Sequence, residues 1–173
     1  MTTTEQDTEK SSASRDYRPK LGIALGSGSA RGWAHIGVLQ ELEAMGIQPD
    51  VVAGTSIGAF VGGVYASGKI NKLAEWVETL TLRDVFGLMD FSFSGGVVKG
   101  DKLLNFFREQ HPDPNISDLP IPFATVATDM ELGREVWIQD GTVLDAARAS
   151  WALPGLFSPY KYNGRWMLDG GLV

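Results

Sequence analysis

The sequence contains no cysteine and only two histidines among its 173 residues. The absence of cysteine excludes disulfides, thiolate catalysis and cysteine-ligated metals. The two histidines, His35 and His111, offer too few ligands to favour a zinc site. The chemistry of this chain therefore has to come from hydroxyl, carboxylate and backbone groups.

Positive charge is in the minority, because 15 Lys and Arg residues face 21 Asp and Glu residues, for a net charge of −6. Nucleic-acid binding needs a positive surface that displaces counterions, so the balance argues against that partner. It also argues against docking to anionic membranes through overall charge, and leaves only a local basic or apolar patch for that purpose.

Long apolar runs and a secretory signal are also missing. The most apolar window, Val51–Gly68, is interrupted repeatedly by glycine and hydroxyl residues, which argues against a transmembrane helix. The first 20 residues contain no apolar core of the kind that a signal peptide needs. We therefore expect a cytoplasmic protein or one that is attached peripherally to a membrane.

The length and composition favour one globular domain, since 43% of the 173 residues are hydrophobic. Residues 1–20 have almost no large apolar side chains and cannot bury enough surface to offset the entropy of ordering. We expect a disordered polar tail over residues 1–20 and a single domain over residues 21–173.

Short apolar strands alternate with helical patterns after the tail. The predicted elements are a strand at Leu21–Leu25, a helix at Gly32–Met45, a strand at Val51–Ala53 and a helix at Ile57–Ser67. Gly46 and Gly68 follow the two helices at positions where a left-handed C-terminal cap is expected. This order is typical of parallel strands joined by crossover helices and predicts an α/β fold.

The second half of the chain is less regular. The predicted elements are a helix capped by Asn71 and ending at Leu80, a helix at Asp101–Gln110, strands at Pro122–Ala127 and Glu135–Ile138, and a helix from Thr142 to Ser150 that starts with a capping box. The glycine-containing stretch Phe91–Gly100 is predicted to be a loop that forms a lid or rim over a site.

The most distinct local signal lies near the end of the chain. Asn163-Gly164, between alternating runs, predicts a hairpin with a type I′ turn. Its second strand, Arg165–Leu168, would deliver Asp169 at a strand end, followed by Gly170 and Gly171. Such a position suits a carboxylate that is presented to a site.

The stretch GTSIG, from Gly54 to Gly58, fits the G-x-S-x-G pattern between a predicted strand and a predicted helix. A nucleophile elbow needs this context, because its sharp strand-to-helix turn is relieved by flanking glycines and exposes the serine hydroxyl. The alternative is a glycine-rich turn in which Ser56 only caps the helix. The pattern predicts Ser56 as a candidate nucleophile.

The stretch GSGSARG, from Gly26 to Gly32, also follows a strand and opens a helix, so its backbone N–H groups would face an anion. It has no lysine for a phosphate-binding P-loop, and its third glycine is one position late for a dinucleotide fingerprint. The remaining hypothesis is an oxyanion hole formed by N–H groups around Gly28 and Ser29, completed by the N–H of Ile57.

A serine nucleophile needs a base, and no histidine follows His111 in the chain. His35 lies on the apolar face of its predicted helix and is expected to be a core histidine with a satisfied hydrogen bond. Carboxylates remain, and Asp169 is the best placed of them. Its alternative role is that of a turn-forming aspartate before glycine.

Together these motifs resemble the patatin-like phospholipase family. The matching segments are GSGSARGWAHIGVL, GTSIGAFVGGVYASG, ASWALPGLFSP (Ala149–Pro159) and DGG (Asp169–Gly171), and the likeness runs from Leu21 to the last residue. The resemblance implies a three-layer α/β/α domain of the patatin (FabD/lysophospholipase-like) type with a mainly parallel central sheet.

The resemblance also implies a function, the hydrolysis of lipid esters by a Ser-Asp dyad. Ser56 would be the nucleophile and Asp169 the general base, and the substrate would carry a fatty acyl ester, presented at a membrane surface. No metal, nucleotide or other cofactor is implied. The residues implied in the oxyanion hole and substrate contacts are Gly26, Gly28, Ser29, Arg31 and Ile57, and the motif glycines are Gly54, Gly58, Gly170 and Gly171.

Two departures from the family pattern are visible. Ser27 and Ser29 stand where many relatives have glycine, a mild change because the donors are main-chain groups. The chain also ends at Val173, just after the aspartate motif, where the family usually continues, so we expect the C-terminal part of the domain to be absent. A catalytically silent lipid- or acyl-binding regulatory module is therefore the alternative function, and the oligomeric state is left open.

Overall fold

The structure is a computed structural model that describes residues 19–81, 100–110 and 112–173, with the side chains of residues 101–104 and 110 excepted. Within these ranges the chain forms six strands and five α-helices. The strands are β1 (Gly22–Leu25), β2 (Val51–Thr55), β3 (Phe123–Asp129), β4 (Glu135–Ile138), β5 (Tyr160–Tyr162) and β6 (Arg165–Leu168). The helices are α1 (Ala34–Ala44), α2 (Ile57–Ala66), α3 (Ile70–Thr79), α4 (Asp101–Gln110) and α5 (Val143–Ser150).

The six strands form one mixed sheet with the order β1-β2-β3-β6-β5, and β4 also pairs with β3. The first three strands are parallel, as the strand-helix alternation predicts. The contacts of β3 with β4 and β6, and of β5 with β6, are antiparallel. The strand order β1-β2-β3 advances in one direction and α1 contacts α2, as expected when right-handed crossovers place both helices on one face of the sheet.

The core lies between this face of the sheet and helices α2 and α5, which pack against each other and against β3. All seven residues of β3 are buried, which identifies it as the central strand. Aromatic side chains from three helices and from the chain after α5 fill the space above the sheet. They are Phe60, Trp76, Phe107 and Trp151. No helix in the described ranges is long and apolar enough to cross a membrane.

Most predicted helix and strand boundaries hold to within two residues, and the differences have local causes. Helix α1 begins two residues late because Ser29–Trp33 forms a 3-10 turn. The predicted cap at Asn71 is wrong: α3 begins at Ile70, and the Asn71 side chain instead accepts a hydrogen bond of 2.8 Å from Gln40 of α1.

The predicted helix caps and the predicted hairpin turn are confirmed by the backbone geometry. Gly46 and Gly68 both have φ of 72°, and Asn163 and Gly164 have φ of 46° and 82°, as a type I′ turn requires. Thr142 caps α5 by accepting from the N–H of Asp145. The predicted tail through residue 18 and the predicted lid from Phe91 to residue 99 lie outside the described residues.

Candidate active site

Ser56 occupies the sharp turn between β2 and α2 and has φ of 54° and ψ of −123°. A positive φ in a non-glycine residue costs about 1–3 kcal/mol and persists only where the surroundings enforce it. The Ser56 side chain makes no capping hydrogen bond to α2, which removes the alternative interpretation of a helix-capping serine. The backbone therefore has the strained strand-to-helix geometry that the G-x-S-x-G pattern predicts.

The glycines on either side of Ser56 allow close backbone contacts that a side chain would prevent. A Cβ at Gly54 would overlap the carbonyl group of Gly58, and a Cβ at Gly58 would overlap the carbonyl oxygen of Leu25. The first turn of α2 is thus pressed against the ends of both β1 and β2. This packing holds the Ser56 hydroxyl at the carboxyl edge of the parallel strands.

Ser150, at the end of α5, connects the elbow to the central strand. Its Oγ accepts a hydrogen bond of 2.8 Å from the Ser56 N–H and donates one of 2.5 Å to the Val126 carbonyl. Ser150 is fully buried, so this hydroxyl satisfies a backbone donor that would otherwise be unpaired. No sequence pattern singles out Ser150, and only its place in the segment Ala149–Pro159 points to this region.

Strand pairing explains how Asp169 reaches the same place as Ser56. Strand β4 occupies one edge of β3, and β2 and β6 share the other edge while running in opposite directions. Thr55 of β2 pairs with Val126, and Leu168 of β6 pairs with Thr128. The next residue after Thr55 is Ser56, and the next residue after Leu168 is Asp169. Both therefore lie opposite the one residue of β3 between Val126 and Thr128.

The Asp169 residue is only 3% exposed, and its backbone is firmly held. Its carbonyl oxygen accepts from Thr128 Oγ1 at 2.8 Å, and its N–H donates to the Ala152 carbonyl at 3.0 Å. The carboxylate oxygen Oδ1 accepts from the Gly171 N–H at 2.8 Å and from Ser27 Oγ at 3.5 Å. Asp169 thus forms the Asp-Gly turn that was its alternative role, and the same turn holds its carboxylate beside Ser27 of the glycine-rich loop.

Ser56 and Asp169 are not hydrogen-bonded to each other in the described part of the chain. Oδ2 of Asp169 likewise has no hydrogen-bond partner among the residues that the structure describes. Gly170 lets the chain after β6 pack closely against β3, since a Cβ there would overlap the carbonyl oxygen of Val126. Ser56 and Asp169 thus lie at the same edge of β3, and Oδ2 of the Asp169 carboxylate is available for a further hydrogen bond.

The glycine-rich loop lies directly against the elbow. A Cβ at Gly32 would overlap the side chain of Ile57, so the loop and the start of α2 are in contact. Ser29 has φ of 48°, and the N–H groups of Gly28, Ser29 and Ile57 donate no hydrogen bond within the described residues. Unpaired N–H groups at two adjoining helix starts are suited to an oxygen that carries negative charge.

His35 supports this loop and is not adjacent to a carboxylate in any described contact. Its Nε2 lies 2.9 Å from the Gly26 carbonyl oxygen, and the side chain is half-buried. The expected hydrogen bond is present, with a partner in the candidate oxyanion loop, but the prediction of a core position is wrong because His35 is only half-buried. Arg31 is exposed on the same loop. His111 lies outside the described residues.

The surroundings of the site bear on whether it could hold a metal ion or an acyl chain. No group of three or more potential metal ligands occurs in the described ranges. An apolar cavity between α2, α3, α4 and the start of α5 begins at Phe60, one helical turn after Ser56. Trp76, Phe106 and Phe107 line this cavity and also pack in the core.

Comparisons with known proteins point to one family. A family model for the patatin-like phospholipases matches residues 23–173. An uncharacterized NTE family protein of Mycobacterium bovis is 44% identical over 156 residues, covering 90% of this chain and 43% of that protein. A lysophospholipase of Emericella nidulans is 33% identical over 168 residues, covering 88% of this chain and 10% of that protein.

A solved structure supports the fold. The chain is similar to VipD from Legionella pneumophila with a TM-score of 0.72 and 18% identity, over 88% of this chain and 46% of that one. The chain thus spans less than half the length of these relatives. The expected patatin-like α/β fold with parallel central strands is confirmed. The chain belongs to the patatin-like phospholipase family.

Proposed function

We propose that this chain is the catalytic domain of a serine hydrolase that cleaves fatty acyl esters of lipids. The observation that carries the proposal is the convergence of Ser56 and Asp169 on one edge of β3, with unpaired N–H groups beside them. Names of relatives, among them a lysophospholipase, support a lipid as the substrate. The domain would comprise residues 21–173, working at a lipid surface.

In the first half-reaction Ser56 Oγ attacks the ester carbonyl carbon while its proton passes to Oδ2 of Asp169. The C–O bond to the leaving alcohol then breaks, and the alcohol takes this proton from Asp169 as it departs. Water then attacks the acyl-Ser56 carbonyl carbon and gives a proton to Asp169. The bond from the acyl carbon to Ser56 Oγ breaks, Ser56 takes that proton from Asp169, and the fatty acid is released. No cofactor takes part in any step.

The negative charge of each tetrahedral intermediate has a natural position in this site. The ester oxygen would lie between the N–H of Ile57 at the start of α2 and the N–H groups of Gly28 and Ser29. Removing one such donor typically costs about 10²–10³ in kcat, because the donors are already oriented when the charge develops. The packing of Gly32 against Ile57 keeps the two sets of donors together.

Aspartate is a weaker base than histidine, so it needs a direct contact with the hydroxyl in a water-poor setting. Asp169 meets the second condition, since it is 3% exposed. The first condition requires Oδ2 and Ser56 Oγ to approach within about 2.6–3.2 Å in the substrate complex, and catalytic contacts are commonly longer without substrate.

A fluorophosphonate probe tests the nucleophile. We expect covalent labelling of the wild-type chain and loss of labelling in Ser56→Ala, with peptide mass spectrometry locating the adduct on Ser56. Circular dichroism and thermal unfolding of both proteins show whether each is folded. A folded wild-type protein that takes up no probe, or takes it up at another residue, contradicts the proposal.

A catalytically silent acyl-binding module is the second candidate, and the missing Ser56–Asp169 hydrogen bond favours it. Hydrolysis of a short-chain p-nitrophenyl ester separates the two functions. The enzyme hypothesis expects Ser56→Ala and Asp169→Asn each to lower kcat by at least ~10³-fold, by analogy with the loss of a catalytic-triad member. Equal rates in all three proteins, together with binding of a fluorescent fatty acid, would identify a binding module.

A further inference from the structure

The hydroxyl that contacts the Asp169 carboxylate in this structure belongs to Ser27. Ser27 Oγ lies 3.5 Å from Asp169 Oδ1 and 3.2 Å from Thr55 Oγ1. Ser27 is on the glycine-rich loop and Thr55 is the last residue of β2, so this pair joins the oxyanion loop, the elbow strand and the base. The mechanism proposed above assigns no role to the Ser27 side chain.

The direction of these hydrogen bonds follows from the chemistry of the groups. An ionised carboxylate can only accept, so Ser27 must donate its single hydroxyl proton to Asp169. Thr55 can then donate its own proton to Ser27 Oγ. The result is a chain of donors from Thr55 through Ser27 to Oδ1, which also accepts from the Gly171 N–H at 2.8 Å.

The second glycine of the DGG motif makes room for this contact. A Cβ at Gly171 would overlap Ser27 Oγ and would lie 3.0 Å from Asp169 Oδ1. Only a glycine therefore lets the Ser27 hydroxyl share Oδ1 with the Gly171 N–H. Gly171 thus packs against the same two oxygens that the hydrogen bonds bring together.

We propose that Ser27 is a positioning residue that fixes the rotation of the Asp169 carboxylate, so that Oδ1 is occupied and Oδ2 faces Ser56. Two donors on Oδ1 define the plane of the carboxylate, whereas the Gly171 N–H alone leaves it free to turn about the Cβ–Cγ bond. The inference rests on the proposed function, since it assigns Oδ2 the role of proton acceptor.

The test compares kcat, KM and thermal stability for hydrolysis of a p-nitrophenyl ester. We expect Ser27→Ala to lower kcat roughly ten-fold, the loss that one hydrogen bond to a charged group predicts, with little change in KM. Stability should change little, because Ser27 is exposed and surface substitutions usually have small effects. Ser27→Thr keeps the hydroxyl and should restore most of kcat, while Thr55→Val, which removes the donor to Ser27, should lower it by a smaller factor.

Ser117 provides a matched control. Its Oγ donates to the Asp118 carboxylate at 3.1 Å, so it has the same type of contact outside the site, and both residues are exposed. Ser117→Ala should leave kcat and KM unchanged. A fall in kcat of similar size in Ser117→Ala, or in Ser27→Thr, would show that the Ser27→Ala effect does not come from the contact with Asp169.

The outcomes separate this inference from the proposed function. If the fluorophosphonate labels Ser56 and Ser27→Ala retains the wild-type kcat, the role of Ser27 is wrong and the enzyme remains. If the adduct is found on Ser27, then Ser27 and Asp169 form the reactive pair and both assignments are overturned. If the folded wild-type protein is neither labelled nor active, the proposed function fails and the inference fails with it.

Discussion

Helix α5 joins two regions that are held by different interactions. Its first turn lies among charged and phenolic side chains, and its last residue, Ser150, lies among the neutral hydroxyl and backbone groups of the candidate active site. The difference matters for function, because interactions between charges depend on pH and salt, whereas steric contacts between backbone segments do not.

At the first turn, Asp145 is the centre of a polar cluster. Its Oδ1 accepts hydrogen bonds of 2.6 Å from both Arg108 Nη2 and the Tyr160 hydroxyl. Burial raises the pKa of the Asp145 carboxyl, but the hydrogen bonds from Tyr160, Arg108 and Thr142 outweigh it and leave this pKa below its usual value. Burial, together with the neighbouring Asp145, raises the pKa of Tyr160 to about 12.

At the other end, the position of Ser56 depends on how closely backbone segments approach. The glycines at 54, 58 and 170 each contact a carbonyl group at a distance that excludes a side chain. A single methyl group is therefore more harmful here than the loss of a charge at Asp145. Substitutions at the two ends of α5 test this contrast.

Gly58→Ala should have the largest effect. The new methyl group would overlap the Leu25 carbonyl oxygen, which belongs to the sheet and cannot move without breaking strand pairing. We expect the free energy of unfolding to fall by about 3 kcal/mol or more, as for severe overpacking, and probe labelling to be lost. Urea unfolding and fluorophosphonate labelling measure the two effects.

Gly37 supplies the matched control for this substitution. It lies in α1, and a Cβ there would meet nothing within 4 Å. Gly37→Ala should raise stability by about 1 kcal/mol through helix propensity and leave labelling intact. A Gly58→Ala protein as stable as Gly37→Ala would mean that the elbow is not held by close packing.

The second prediction concerns the strain at Ser56 itself. With φ of 54°, this position favours glycine over alanine, so Ser56→Gly should be more stable than Ser56→Ala by about 1 kcal/mol. At Glu41, an exposed residue within α1, the order should reverse, with Glu41→Gly less stable than Glu41→Ala by about 1 kcal/mol. Thermal and urea unfolding of the four proteins give the comparison, and the same order at both positions would argue against backbone strain.

The elbow was predictable from the sequence because its cause is local. Gly54 and Gly58 flank one serine after an apolar run, and both the strained turn and the short contacts follow from these adjacent residues. The hairpin that carries Asp169 was predictable for the same reason, since Asn163-Gly164 specifies a type I′ turn. Signals of this kind depend on a few neighbouring residues and not on the rest of the fold.

The contacts between distant segments could not be predicted in this way. Ser150 meets Ser56 across 94 positions of sequence, and Ser27 meets Asp169 across 142. A single serine is not part of a sequence pattern that would mark its role. That role depends on the register of β2, β3 and β6, which the sequence does not specify. The Asn71 cap failed for a related reason, because Gln40 of another helix competes for its side chain.

The third and smallest effect should come from Asp145→Asn at the other end of α5. Arg108 is 37% exposed, so solvent screens the pair and the substitution should cost only about 1 kcal/mol at neutral pH. Because folding lowers the pKa of Asp145, its contribution is present above the usual carboxyl range and is lost as the pH falls through the lowered value. The difference in unfolding free energy between wild type and Asp145→Asn should therefore be constant from about pH 8 to 5 and shrink below about pH 4. A difference that keeps its full neutral-pH size at pH 3 would mean that packing, and not charge, holds this turn.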